Sequence, residues 1–365
     1  MEDLRLENYT RWLPDTWLTL CYLLSSILSL VVLASISPER LGQQAIMFGI
    51  GFVLFIYLTH QDSAVFKTFA PILYLLSLII LIATIVLGDT VRGSTRWIPL
   101  GSFQLQGGEF VKPFLVLAFA FFLKQFPPKT LKNILINLII FVVPAYLVFR
   151  QPDLGTALAI SFIWVAQIFV SGLSYWFVLA SLGITATLTK YLPQILHDYQ
   201  LKRLESFIDP FRDPLGAGYN VIQSIIAVGS GGVFGKGLGN GTQSHLRFLP
   251  ERHTDFIFAS LAEELGLIGS LLVIFILGGL LYRLLTLATH AKSSSSRLIY
   301  IGTFSYLFFQ IFINLGMNIG LAPVTGVTLP LISYGGSSIL ATAITLGVVA
   351  SCARSDSHHA LIEIK

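Results

Sequence analysis

The sequence predicts an all-α fold, a polytopic membrane protein with ten transmembrane helices, from three observations. Of its 365 residues, 54% are hydrophobic and only 12% are charged. Mean hydropathy is +0.77, well outside a soluble globular composition. Apolar runs long enough to cross about 30 Å of hydrocarbon recur along the chain, and a bilayer without water forces each run to be helical. No large soluble domain fits between them, so residues 1–365 read as a single membrane domain.

The predicted spans are roughly 16–36, 42–59, 69–87, 109–123, 133–149, 155–171, 174–192, 256–285, 298–319 and 334–352. Around the first span stand Glu2, Asp3, Arg5, Glu7, Arg11 and Asp15. With that mixed charge and no small-residue cleavage pattern, it reads as a retained anchor. A cytoplasmic N-terminus puts Lys67, Lys124, Lys129, Lys132, Arg283, Lys292 and Arg297 inside, and leaves only Arg40, Arg92, Arg96 and Arg150 in short outside loops. Long loops escape the positive-inside rule. Both termini are therefore expected to be cytoplasmic, with a long extracytoplasmic loop, 193–254, between helices 7 and 8. Cys21 and Cys352, each within or at the end of a span, suggest neither a disulfide nor a metal site.

Four outer segments depart from hydrocarbon composition: RGSTRWIPLGSFQLQGGEFVKP (92–113), RQPDLGTA (150–157), residues 193–254, and APVTGVTLPLISYGGSS (322–338). A site built from loops on a rigid helical scaffold is expected there. Within the long segment, YLPQILHDYQLKRLESFID (191–209) sets Leu192, Ile195, Leu196, Tyr199, Leu204 and Phe207 opposite His197, Lys202 and Arg203, the pattern of an amphipathic helix lying on the bilayer. YNVIQSIIAVG, which follows, reads as a second interfacial helix. GSGGVFGKGLGNG (229–241) is either a turn-rich connector or a backbone cradle for an anion beside Lys236. It matches neither GxGxxG nor the Walker phosphate loop.

LPERHTDFIFASLAEELG (249–266) places Arg252, His253 and Asp255 against an apolar helix. Aspartate at a helix start is a standard cap. Glu263 and Glu264 follow in the same helix, however, and carboxylates inside a membrane protein normally face a cavity. Counted back about 20 residues from Arg283, the helix is too long for its membrane, so its first two turns overshoot the hydrocarbon or line water. Glu109 and Lys112, three apart, share a helix face and either neutralise one another or look into the cavity under Asp255. Trp97 suits an interfacial anchor and Arg96 a lipid headgroup contact, with ligand contact as the alternative.

RWIPLGSFQLQGGEFVK, RQPDLGTA, GKGLGNGTQSHLRFLPERHTDFIFASLAEELG and GVTLPLISYGGSS resemble, in order and spacing, the signatures of the SEDS family of ten-helix bacterial cell-wall proteins, over nearly the whole chain. TQSHLRFLPERHTDFIF is closer to the RodA elongation branch than to the FtsW division branch, and GVTLPLISYGG fits either. Where the family usually reads QPSE, this chain has Gln106, Gly107, Gly108 and Glu109, and the two glycines should loosen the start of helix 4.

The resemblance implies a peptidoglycan glycosyltransferase that polymerises lipid II at the outer face of the cytoplasmic membrane, with Asp255 as the functional aspartate. Glycoside hydrolysis usually needs two carboxylates because a poor leaving group must be protonated. A lipid diphosphate already leaves well, so one base on the acceptor hydroxyl is enough, and Asp255 would be that base. Lys112, Arg96, Lys236 or Arg252, or a bound divalent cation such as Mg or Mn, would stabilise charge on the diphosphate. Burial helps such a base, whereas adjacent Arg252 and a protonated His253 oppose it. Trp97, Glu109, Asp153, Gln243, His253, Ser333, Gly335, Gly336 and Ser337 complete the expected substrate-binding set.

The implied partners are lipid II, the growing glycan strand, membrane lipids and a class B penicillin-binding protein. No nucleotide or nucleic-acid motif is present, and the net charge of +4 follows from topology. The rival readings are a lipid II flippase, which predicts charges at the bilayer midplane and matching halves, and a non-catalytic scaffold, in which Asp255 is dispensable.

Overall fold

The structure, a computed structural model, describes residues 15–91, 94–100, 103–174, 177, 198–216 and 218–362. The chain enters at α1 (Thr16–Ile36), capped by Asp15, and turns through a 3₁₀ segment at Pro38–Arg40 into α2 (Leu41–Thr59). Next come α3 (Ser63–Leu87), a three-stranded antiparallel sheet of β1 (Asp89–Val91), β2 (Ser94–Leu100) and β3 (Phe103–Gln106), and α4 (Gly107–Gln125). α5 (Leu131–Arg150) and α6 (Leu154–Val170) form the next pair. The long loop contributes α7 (Asp198–Ile208), α8 (Tyr219–Ser230) and a single turn, α9 (Thr242–His245). Three long helices finish the chain: α10 (Ile257–Thr289), α11 (Ser294–Asn318) and α12 (Gly336–Ile362).

Among the described residues, seven helices are long and apolar enough to cross a membrane, and α6 is a shorter apolar helix. With α4, whose first turns carry Glu109 and Lys112, they match nine of the ten predicted spans. The remaining span, 174–192, lies outside the described residues apart from 174 and 177, as do residues 191–197 of the first amphipathic stretch.

The buried core runs through the whole bundle, from Leu18 and Val32 to Leu346 and Val349. α11 and α12 sit deepest, while α2, α3 and α5 turn side chains such as Val53, Ile79 and Ile139 outward. An apolar exterior over a partly polar interior is the pattern a bilayer selects. The chain is a multi-pass membrane protein. Arg283 Nε donates to Asp15 Oδ2 at 3.0 Å, so the start of α1 and the inner part of α10 share one membrane face.

Three expectations need correction. The expected all-α fold holds a small sheet, in which β2 and β3 pair Trp97 with Gln106 and Leu100 with Phe103, so the fold is mostly rather than purely helical. The stretch from 219 forms the expected helix, one face of which packs on the bundle. Its helix buries Val221, Ser224 and Ala227 against α10 and α11, and Ser224 Oγ donates to Asn318 O at 2.8 Å.

The second correction concerns Gly107 and Gly108, which start α4 as regular helix and let its neighbours come close. A Cβ on Gly107 would stand 2.2 Å from Thr84 Oγ1, so its absence lets α3 come this close. Third, α10 is not one overlong rod. It breaks at Gly266, where φ 65° and ψ −158° are open essentially only to glycine.

The glycine-rich loop fills that break. Leu267 N donates to Gly232 O and Ile268 N to Val233 O, while Lys236 N and Gly237 N donate to the carbonyls of Glu263 and Glu264. Gly235 N lies 2.3 Å from where a Cβ on Gly266 would sit, so the approach is backbone against backbone. Two N–H groups and two carbonyls at the kink are thus paired from outside the helix, as a low-dielectric setting demands. The first two turns of α10, from Ile257 to Glu264, are consequently buried in protein.

Candidate active site

Asp255 ends the loop that enters α10, and the helix takes Phe256 rather than Asp255 as its cap residue. Three consecutive backbone carbonyls hold its segment. His253 O accepts from Tyr334 N at 2.8 Å, Thr254 O from Ser333 Oγ at 2.8 Å, and Asp255 O from the side-chain amides of Asn314 and Asn318 at 3.1 and 3.0 Å. Asn314 also donates to Val327 O at 2.8 Å, which joins the loop before α12 to the same point.

Beside Val327, Gly326 marks the centre of the site. A Cβ built there would lie 3.5 Å from Arg96 Nη1, 3.7 Å from Asp255 Oδ2 and 3.8 Å from Arg203 Nη1. Gly326 itself has φ +75°, a conformation that favours glycine. A half-buried carboxylate and two guanidiniums thus converge from the loop before α10, from β2 and from α7.

Arg96 is oriented by a second carboxylate. Its Nη1 lies 3.7 Å from Asp153 Oδ1, its Nη2 donates to Pro152 O, and Asp153 caps α6 by accepting from Thr156 N and Thr156 Oγ1. Gly108 comes up against Thr156 and Asp153, which sets the start of α4 next to the start of α6. One turn on, Lys112 Nζ donates to Glu109 Oε1 at 2.6 Å and sits 5.7 Å from the ring centre of Tyr306. Both charges are almost fully buried, so this pair is a neutralised unit within the bundle.

Other expected residues have different partners. Lys236 Nζ donates to Glu263 Oε1 at 2.8 Å and to Thr242 Oγ1 at 2.9 Å, and the Gln243 backbone N–H donates to the same carboxylate. Lys236 and the turn at α9 therefore hold an anion of the protein itself, Glu263. Arg252 Nε donates to Ile36 O, at the carbonyl end of α1, and burial lowers the Arg252 pKa from its ordinary value. His253 is pushed down to about 4, first by burial and then by Arg40, so it is neutral near pH 7 and adds no charge beside Asp255.

Ser333 accepts from Leu329 N while bonding Thr254, and Gly335 N reaches Gln44 Oε1. Ser337, next to Gly336 at the start of α12, accepts from Gln106 N and so ties β3 to that helix. Trp97 is half-buried on β2. Sequence reasoning missed Arg203, read as the solvated side of a surface helix, and also Asn314, Asn318 and Gly326. The two asparagines did carry a signal, being polar residues four apart inside an apolar span.

Residues 15–358 match the FTSW_RODA_SPOVE family of cell cycle proteins. The chain belongs to this family. It is similar to peptidoglycan glycosyltransferase MrdB of Escherichia coli K12, with 40% identity over 342 residues and 92% of each chain covered. The FtsW/RodA/SpoVE likeness extends to structure. A chain from a peptidoglycan synthase complex, studied for how polymerization and crosslinking are coordinated, gives a TM-score of 0.82 at 36% identity, over 94% of this chain and 98% of that one. The rod shape determining protein RodA of Thermus thermophilus gives 0.72 at 31% identity with the same coverage. The RodA likeness agrees with the elongation-branch reading of TQSHLRFLPERHTDFIF.

Proposed function

We propose that the chain is a peptidoglycan glycosyltransferase that polymerises lipid II at the outer face of the bacterial cytoplasmic membrane during elongation. Ten transmembrane helices and cytoplasmic termini would bring the four outer segments together on that face. The observation that carries the reading is the convergence of Asp255, Arg96 and Arg203 on Gly326; the family and the activity named for the E. coli relative support it.

Asp255 takes the proton from the acceptor sugar hydroxyl as that oxygen attacks the anomeric carbon of the donor. The bond from that carbon to the diphosphate oxygen breaks, and undecaprenyl diphosphate leaves with the electron pair. Arg96 and Arg203 stabilise the negative charge that gathers on the diphosphate, and guanidinium donors suit phosphate oxygens. Glu109 and Lys112 act one layer below, holding the start of α4 against the site. The polyprenyl tail stays in the bilayer, with α7 and α8 as the floor of its entrance.

Among the described residues no group of three or more His, Cys, Asp or Glu is arranged to hold a metal. A divalent cation here would draw most of its oxygen ligands from the diphosphate, with Asp255 as the nearest carboxylate. Bound there, it would supply further charge stabilisation. A class B penicillin-binding protein is the expected partner for crosslinking.

The test is polymerisation of purified lipid II by wild type, Asp255→Ala and Asp255→Asn, with and without that partner. Glycan from wild type alone supports the reading. Equal activity in all three removes Asp255 from the chemistry, and lipid translocation without polymer favours the flippase.

A further inference from the structure

A cavity of about 520 Å³ opens at the opposite end of the bundle, between the first turns of α3, the last turns of α4 and the first turn of α11. Its distance from Asp255 follows from α11 alone. Ser295 lines the cavity and Asn318 holds Asp255, and 23 residues of helix separate them, about 35 Å. The cavity therefore belongs to the other membrane face and has no part in the proposed transfer.

Its lining has two characters. Leu117, Phe121 and Ile299 give an apolar wall, and Lys67 and Lys124 bring two ammonium groups from different helices. No carboxylate lines it among the described residues. Lys124, in the last turn of α4, suits that helix's carbonyl end by itself. Lys67 has no such reason: it stands in the first turns of α3, where a cation is unfavourable to the helix dipole. Among the described residues Lys67 Nζ reaches only hydroxyls, Ser63 Oγ and Ser296 Oγ, both at a long 3.4 Å. Behind Ser296, Asp356 accepts from Tyr300 at 3.0 Å and from Ser296 at 3.3 Å, which offsets part of the Lys67 charge and none of that on Lys124.

We propose that this cavity binds the headgroup of an anionic phospholipid from the leaflet opposite the catalytic face. The two lysines pair with the phosphodiester, and the first methylenes of an acyl chain lie along Leu117, Phe121 and Ile299. A soluble anion would use the cationic rim and leave the wall bare. The volume falls within the range of small-molecule sites, and lysines beside an anionic headgroup attract it.

The experiment is native mass spectrometry of the full chain released from nanodiscs with equal phosphatidylglycerol and phosphatidylcholine. Wild type is expected to retain phosphatidylglycerol over phosphatidylcholine by roughly tenfold. Lys67→Gln/Lys124→Gln should lose that preference, whereas Lys129→Gln/Lys132→Gln, on the same face and outside the cavity, should keep it. Melting of the first double variant in pure phosphatidylcholine at the wild-type temperature excludes misfolding as the cause. Equal retention of both lipids by wild type overturns the proposal, as does a preference that survives Lys67→Gln/Lys124→Gln. Displacement of bound phosphatidylglycerol by millimolar inorganic phosphate would make the occupant a soluble anion and overturn it as well.

Discussion

Asn318 donates its side-chain amide to the backbone carbonyl of Asp255 at 3.0 Å, and its own Oδ1 accepts from Ala259 N at 3.0 Å. One buried amide thus spans the entry to α10, fixing the residue before the helix and an N–H of its first turn. Asn318→Ala strands the Ala259 N–H, at about 1–3 kcal/mol when buried, and leaves Asp255 O with Asn314 as its remaining amide donor. Asn318→Asp keeps acceptance from Ala259 and loses donation to Asp255. Glycan synthesis is expected to fall well over tenfold in both, with the larger drop in melting temperature for Asn318→Ala. Full activity of Asn318→Asp would show that the segment needs no such support.

Arg203→Gln keeps the bulk of the side chain and removes its charge. Loss of one preorganised electrostatic stabiliser costs about 10²–10³ in turnover. Steady-state polymerisation with purified lipid II should show that fall mainly in kcat, because the charge it meets grows in the transition state. A change confined to KM would assign Arg203 to ground-state binding alone.

Lys236→Met separates support of Glu263 from anion binding. Glu263 is fully buried, while the Lys236 side chain is 28% exposed. Glu263 keeps the N–H groups of Gln243 and Ser244 and the hydroxyl of Ser244, so the loss is expected at about 1–3 kcal/mol. Thermal unfolding in detergent should report it, with KM for lipid II unchanged. A raised KM at unchanged stability would return Lys236 to the substrate.

His253 gives the fold a pH dependence. Burial lowers its pKa from 6.5 to about 4 in the folded chain, so the unfolded chain takes up the proton first as pH falls. Stability from this group is whole above about pH 6.5 and declines toward pH 4. His253→Gln should flatten the melting temperature across that window, and an unchanged slope would place the dependence elsewhere.

Most of the membrane architecture was legible because the bilayer imposes a strong rule on composition, and apolar length alone located nine of the described helices. The break at Gly266 was not, since a lone glycine in an apolar helix is ordinary. Its meaning comes from Gly232, Val233 and Lys236, some thirty residues earlier, whose backbone replaces the missing hydrogen bonds. Asp255 was legible as a charge out of place beside an apolar run. Arg203 was not, because amphipathic periodicity describes a helix on a membrane and a helix over a cavity equally well. Lys236 misled for a related reason: a glycine loop with a lysine announces an anion without saying whose.

Glu263 and Glu264 have a further meaning for biogenesis. Two adjacent carboxylates partition poorly into hydrocarbon, so the segment bearing them enters the bilayer unwillingly on its own. Lys236 precedes Glu263 by only 27 residues, a short closure, so it can meet that carboxylate while the helix is still being inserted. Ser35, which donates to Glu264 at 2.7 Å, lies 229 residues away. Both carboxylates at the start of α10 thus find partners in the loop that precedes it, Lys236 and Gly239, while the contact with α1 closes a far longer stretch of chain.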